Sequence, residues 1–144
     1  MTDAERRAVL DALAAEYAAV YAYGVIAAYA SPERTRLVAE YTAAHRARRD
    51  ATVRALEAAG VTAPAADAAY TTPFPVDDPI PAARLAVTVE NDTAVAWRAV
   101  VEHAGSESAR GMGIDALTES ALRLATWQAI LGTNPATVAF PGRA

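Results

Sequence analysis

Apolar side chains recur at three- and four-residue spacings through four long stretches of the chain, the pattern of helices that turn one face to a core. Proline and glycine separate the stretches. The pattern predicts helices over about 3–30, 32–59, 79–104 and 107–131. Ser31-Pro32-Glu33 opens the second helix with a capping residue, a proline at the first helical position and an acid in the first turn. Asp78-Pro79 opens the third and Ser106-Glu107-Ser108 the fourth. Gly60, Gly105 and Gly132 mark the stops, and Gly111 and Gly113 weaken the start of the fourth helix. No stretch alternates as a strand would.

Loop lengths set the topology. The first–second and third–fourth connections are short, so each pair forms an antiparallel hairpin. The crossover at 60–78 contains Pro64, Pro73 and Pro75. Extended, it reaches about 60 Å, more than the roughly 40 Å of one helix. It can therefore return to the far end of the bundle. The expected architecture is one all-α domain, a ferritin-like four-helix bundle in up-down-down-up order. The tail over 133–144, with Asn134-Pro135 and Phe140-Pro141-Gly142, is expected to be extended.

Helical phase then sorts each face. Leu10, Leu13, Tyr17, Val20 and Gly24 lead the inner face of the first helix, with Glu16 on its flank. Leu37, Val38, Tyr41, Thr52 and Leu56 line the second, and His45 and Arg48 fall on that side. Val87, Ala94, Trp97 and Val101 line the third, with Glu90 at the centre of the stripe. Ile114, Leu117, Ala121 and Leu124 form the expected seam of the fourth, with Arg110 in line. Glu16, His45 and Glu90 each lie near the midpoint of a helix, and midpoints coincide whichever way a helix runs. These three side chains are expected to meet at mid-bundle. Glu119 is also near a midpoint but is phased toward solvent.

Carboxylates and a histidine at mid-bundle are the ingredients of di-iron and di-manganese sites. That chemistry uses one Glu from each of two helices and Glu-x-x-His from each of the other two. Glu16 and Glu90 supply the lone glutamates. Thr42 stands three residues before His45, and the expected seam of the fourth helix offers neither Glu nor His. Three ligands remain where six are needed. Arg48 and Arg110 can neutralise a buried glutamate without a metal. The adopted reading is a buried network of Glu16, His45, Arg48, Glu90 and Arg110 with no metal or other cofactor expected. The alternative is iron or manganese held by Glu16, His45 and Glu90 in a metal-binding protein or oxidoreductase. A third possibility is a pocket between Glu16, His45, Arg48 and the Tyr70–Pro75 crossover, with Arg48 holding an acidic ligand.

Composition narrows the function classes. The 144 residues include 39 Ala, no Cys, no Lys and two His. Without cysteine there is no disulfide framework, zinc ribbon, iron–sulfur cluster or thiol nucleophile. Two histidines exclude a helical hydrolase that holds one metal with three. A formal charge of −4 argues against nucleic-acid binding, which depends on neutralising phosphates. The acidic, polar Met1-Thr2-Asp3-Ala4-Glu5 lacks the pattern of a signal peptide, and the uncharged stretch from Tyr17 to Pro32 is too short to span a bilayer. A cytoplasmic protein is expected, free of membrane and nucleic-acid partners, and homodimeric through exposed Ala-rich helix faces.

The segments Glu16–Gly24, His45–Asp50 and Tyr70–Pro75, then Glu90 with Trp97-Arg98, and Ala139–Gly142 occur in that order along nearly the whole chain. Together they resemble an uncharacterised, Ala-rich actinobacterial family of ferritin-like fold. The resemblance implies a ferritin-like bundle and no established activity. The wider superfamily suggests iron or manganese chemistry, but its Glu-x-x-His ligands have no counterpart here. The expected role is a non-enzymatic binding or interaction bundle.

Overall fold

The structure, a computed structural model, describes residues 1–144. It contains α1 (Asp3–Tyr29), α2 (Thr35–Ala58), α3 (Pro79–His103) and α4 (Glu107–Ile130), and no strand. The boundaries follow the caps. Thr2 and Glu5 form a capping box at the start of α1, with the Glu5 amide donating to Thr2 Oγ1 at 3.2 Å. Ser106 caps α4 by accepting from the Ala109 amide at 3.1 Å. The second helix starts later than its sequence suggests. Pro32–Arg34 forms a 3-10 turn, and the Ser31 side chain makes no capping bond. The turn is closed by the Arg34 amide donating to the Ser31 carbonyl and the Thr35 amide donating to the Pro32 carbonyl.

Cross-helix contacts fix the order. Glu16 meets Trp97 and Tyr23 meets Glu90, so α1 and α3 run antiparallel. Thr93 meets Ser120 and Glu90 meets Arg123, so α3 and α4 do likewise. Arg48 meets Glu119, and the Tyr41 and Trp127 rings lie edge to face, so α2 opposes α4. Together with the α1–α2 hairpin this is a four-helix bundle in up-down-down-up order. The crossover climbs along α1: Tyr17 Oη donates to the Pro64 carbonyl at 2.8 Å, and the Tyr70 ring packs on Tyr21 higher up.

The core consists of two apolar clusters. One gathers Leu13, Leu56, Trp97 and Val100; the other gathers Tyr23, Ile26, Leu85 and Trp127. Burying each large side chain contributes about 1.5–3 kcal/mol. α1 is long and apolar enough, by length and composition, to cross a membrane. It nonetheless buries Glu5 and Glu16 among its bundle contacts.

Two expectations change. The buried residues of α4 are Ala109, Gly113, Ala116, Ser120, Arg123, Leu124 and Trp127; of the expected seam Leu124 is among them and Leu117 packs at the core edge, while Ile114 is 48% exposed. A Cβ on Gly113 would lie 2.9 Å from Val101 Cγ2 and 3.2 Å from the Val101 amide nitrogen. Small residues therefore face α3 because the two backbones approach closely. The tail is irregular rather than extended. It folds back on α3, where Gly142 (φ +77°) sits so close that a Cβ would come within 2.4 Å of the Ala94 carbonyl oxygen.

A buried Glu–His–Glu–Arg network at mid-bundle

Between the two apolar clusters lies a layer of buried polar side chains. Glu16, His45 and Glu90 have no exposed surface, and Arg123 is 7% exposed. α1 presents Glu16 and Tyr23 seven residues apart, on one face two turns from each other. α2 supplies His45, α3 supplies Glu90 and Trp97, and α4 supplies Ser120 and Arg123.

His45 is the bridge. Its Nδ1 lies 2.6 Å from Glu16 Oε2, and its Nε2 lies 3.0 and 3.1 Å from the two Glu90 oxygens. A carboxylate can only accept, so each ring nitrogen must carry a proton to make both contacts. His45 is thus a buried imidazolium between two carboxylates. Burial works against that cation, but the hydrogen bonds and charges of Glu16 and Glu90 outweigh it and raise the His45 pKa to about 9.

Glu90 is the hub. Arg123 Nε donates to both its oxygens at 3.0 and 3.1 Å, and Tyr23 Oη donates to Oε2 at 2.6 Å. Burial favours the neutral acid, yet His45 and Arg123 overcome this and hold the Glu90 pKa below its usual value. Burial also opposes the Arg123 cation, but Glu90 raises its pKa. Burial and the neighbouring Glu90 carboxylate push the Tyr23 phenol well above its normal range. The outer bonds close the layer. Trp97 Nε1 donates to Glu16 Oε1 at 2.7 Å, Trp127 Nε1 to Tyr23 Oη at 3.0 Å, and Arg123 Nη2 to Ser120 Oγ at 3.3 Å. Two carboxylates face two cations, and the layer is formally neutral.

The structure brings together Glu16, His45 and Glu90. It does not bring Arg48 or Arg110 to them. Arg48 extends over the Trp97 ring to the surface and pairs with the half-exposed Glu119 at 2.8 Å. Arg110 is exposed, and its Nη2 donates to the Ala104 carbonyl at the end of α3. Arg123 takes the place expected of both, because the true α4 seam passes through it. Reading Gly113, Ser120 and Trp127 at seven-residue spacing would have identified that face. Glu5 also went unnoticed: it is 2% exposed and accepts from Ser106 Oγ at 2.8 Å, joining the N-termini of α1 and α4.

A shared metal needs donors that converge on one point. Here the imidazole ring stands between the carboxylates, with one nitrogen committed to each. No group of three or more His, Asp or Glu side chains converges on a common centre. Against the template of two lone glutamates and two Glu-x-x-His pairs, α2 carries Thr42-x-x-His45 and α4 carries Ser120-x-x-Arg123. A guanidinium occupies a ligand position, and a fixed cation there disfavours a second one. The residues as placed do not fit a di-metal centre.

The chain is similar to a conserved hypothetical protein, Rv2844, from Mycobacterium tuberculosis, with 46% identity and a TM-score of 0.88 over 90% of this chain and 98% of that one. No functionally curated protein matches it. The family model for a domain of unknown function, DUF4439, matches residues 8–144. With that match over nearly its whole length, the chain belongs to the DUF4439 family.

Proposed function

We propose that the protein is a non-catalytic, ferritin-like bundle that acts by binding, with an internal ion network in place of a di-iron site. The observation that carries this reading is that both His45 nitrogens are committed to carboxylates while Arg123 covers Glu90. The network is saturated with its own partners. Its carboxylates, imidazole and guanidinium are engaged with one another. Its role is to hold four helices in one register, as buried polar groups do in some helical assemblies. Function then falls to the surface. Elemental analysis of protein purified without chelator tests this reading, and less than about 0.1 equivalent of iron or manganese is expected. Stoichiometric metal that disappears in Glu90→Ala would overturn it in favour of the metal-binding or oxidoreductase alternative.

The exposed Ile114 and Leu122 on α4, 48% and 66% accessible, support self-association as part of that surface role. Sedimentation should show a dimer that Leu122→Glu converts to monomer.

A further inference from the structure

The crossover and the α1–α3 face form an open groove of about 530 Å³, within the size range of small-molecule sites. α1 contributes Tyr21, the crossover Tyr70 and Thr72, and α3 Thr88 and Asp92. The Tyr21 and Tyr70 rings meet at 5.5 Å and 55°, forming an aromatic corner. Tyr70 is fixed there by its own loop, since Tyr70 Oη accepts from the Asp67 amide at 3.1 Å.

The charge of this groove is unbalanced. No basic residue lines it, and Asp92 has no ion-pair partner. Arg48, expected to line a crossover pocket and hold an acidic ligand, is not among the residues of this groove. A carboxylate and two tyrosine rings lining one groove are complementary to a cation. The carboxylate supplies a charge-assisted hydrogen bond, and the ring faces attract positive charge within about 6 Å of their centroids.

We infer that this groove is a binding site for a small organic ammonium ion with an apolar body, held by Asp92 and the Tyr21–Tyr70 corner. The ammonium group pairs with Asp92, while the apolar part lies against Ala18, Ala22 and Leu85. Asp92 is solvent-exposed at the rim of the groove, and partial desolvation there lifts its pKa above its usual value. The site gives the proposed binding role a ligand class and rests on that reading.

Benzylammonium is the probe and benzyl alcohol its neutral counterpart, both titrated into the intact protein by two-dimensional amide NMR. Benzylammonium should give saturable shifts confined to residues around 18–22, 70–73 and 85–92. Benzyl alcohol should bind at least tenfold more weakly. Asp92→Asn should weaken benzylammonium at least tenfold and leave the alcohol unchanged. Tyr70→Leu, on the crossover outside the helices, should weaken the cation even if Asp92→Asn folds poorly. Absence of saturable shifts there, equal binding of the two probes, or unchanged affinity in both variants would overturn the inference. Such a failure would leave a metal-free network standing, whereas stoichiometric metal would overturn the network and leave this titration unaffected.

Discussion

Replacing Glu90 removes the group on which the buried layer depends. In Glu90→Leu, Arg123 keeps only its 3.3 Å bond to Ser120, His45 keeps only Glu16, and the Tyr23 hydroxyl loses its acceptor. A net positive charge is then left in a dry interior. Breaking a buried ion pair from one side costs about 3–5 kcal/mol, whereas replacing both partners by apolar groups of similar volume is close to neutral. For a chain of this length each kcal/mol shifts the melting temperature by about 2–4 °C, so Glu90→Leu should lower it by roughly 10 °C. The double variant Glu90→Leu/Arg123→Met removes one negative and one positive charge and leaves Glu16 and His45 as a matched pair. It should lose only about 0–2 kcal/mol and be more stable than Glu90→Leu alone, a coupling of about 2 kcal/mol or more. Urea unfolding followed by far-UV circular dichroism measures the wild type, Glu90→Leu, Arg123→Met and the double variant. Additive losses would refute the reasoning, because they would mean that Arg123 does not neutralise Glu90.

The remaining predictions address other parts of the structure. The folded pKa of His45 is raised from 6.5 to about 9, so its stabilisation is complete below pH 6.5 and is lost as pH rises to about 9. The full loss is on the order of 3 kcal/mol, and the urea midpoint should fall over that window in the wild type but not in His45→Gln. A wild-type midpoint unchanged from pH 6 to 9.5 would contradict this. Glu90 acts in the opposite sense: its pKa is lowered, so its contribution is complete above the ordinary carboxylate range and is lost as pH falls from that range through the lowered value. On α4, Gly111 has open space around it while Gly113 abuts Val101. Gly111→Ala should therefore stabilise by about 0.5–1 kcal/mol, and Gly113→Ala should destabilise by about 1–3 kcal/mol, both read from denaturant melts. Gly142→Ala should release the tail from α3 and leave the helices folded, so that limited proteolysis clips residues 133–144 while the circular dichroism melt stays nearly unchanged.

What could be read from the sequence, and what could not, has a physical pattern. Most helix limits were legible because Pro79, Ser106, Gly60 and Gly132 punctuate the chain by local chemistry alone; the start of α2 was not, since Pro32–Arg34 forms a 3-10 turn. The chain order followed from the length of the crossover. The meeting of Glu16, His45 and Glu90 was legible because α2 and α3 each have a clear apolar stripe and all three residues sit near midpoints. The face of α4 was not. Ile114, Leu117, Leu122 and Leu124 spread large aliphatic residues around that helix, while its contact face uses Gly113, Ala116 and Ser120 to let α3 approach. Only Leu124 of the expected seam is fully buried, and Arg123 rather than Arg110 lies on the contact face. Arg48 failed for a different reason. Its backbone position faces inward, but its long side chain reaches out to Glu119. The hydrogen bonds of Trp97 and Trp127 could not be read at all, since an indole N–H marks a core residue without naming its acceptor.

The central claim is that His45 is a doubly protonated bridge inside a saturated network. Nitrogen-15 NMR of the imidazole ring reports this directly. At pH 7.5 both His45 ring nitrogens should carry protons, each in slow exchange with water, and they should titrate together near pH 9. One unprotonated His45 nitrogen at pH 7.5, free to accept a hydrogen bond or bind a metal, would contradict the account.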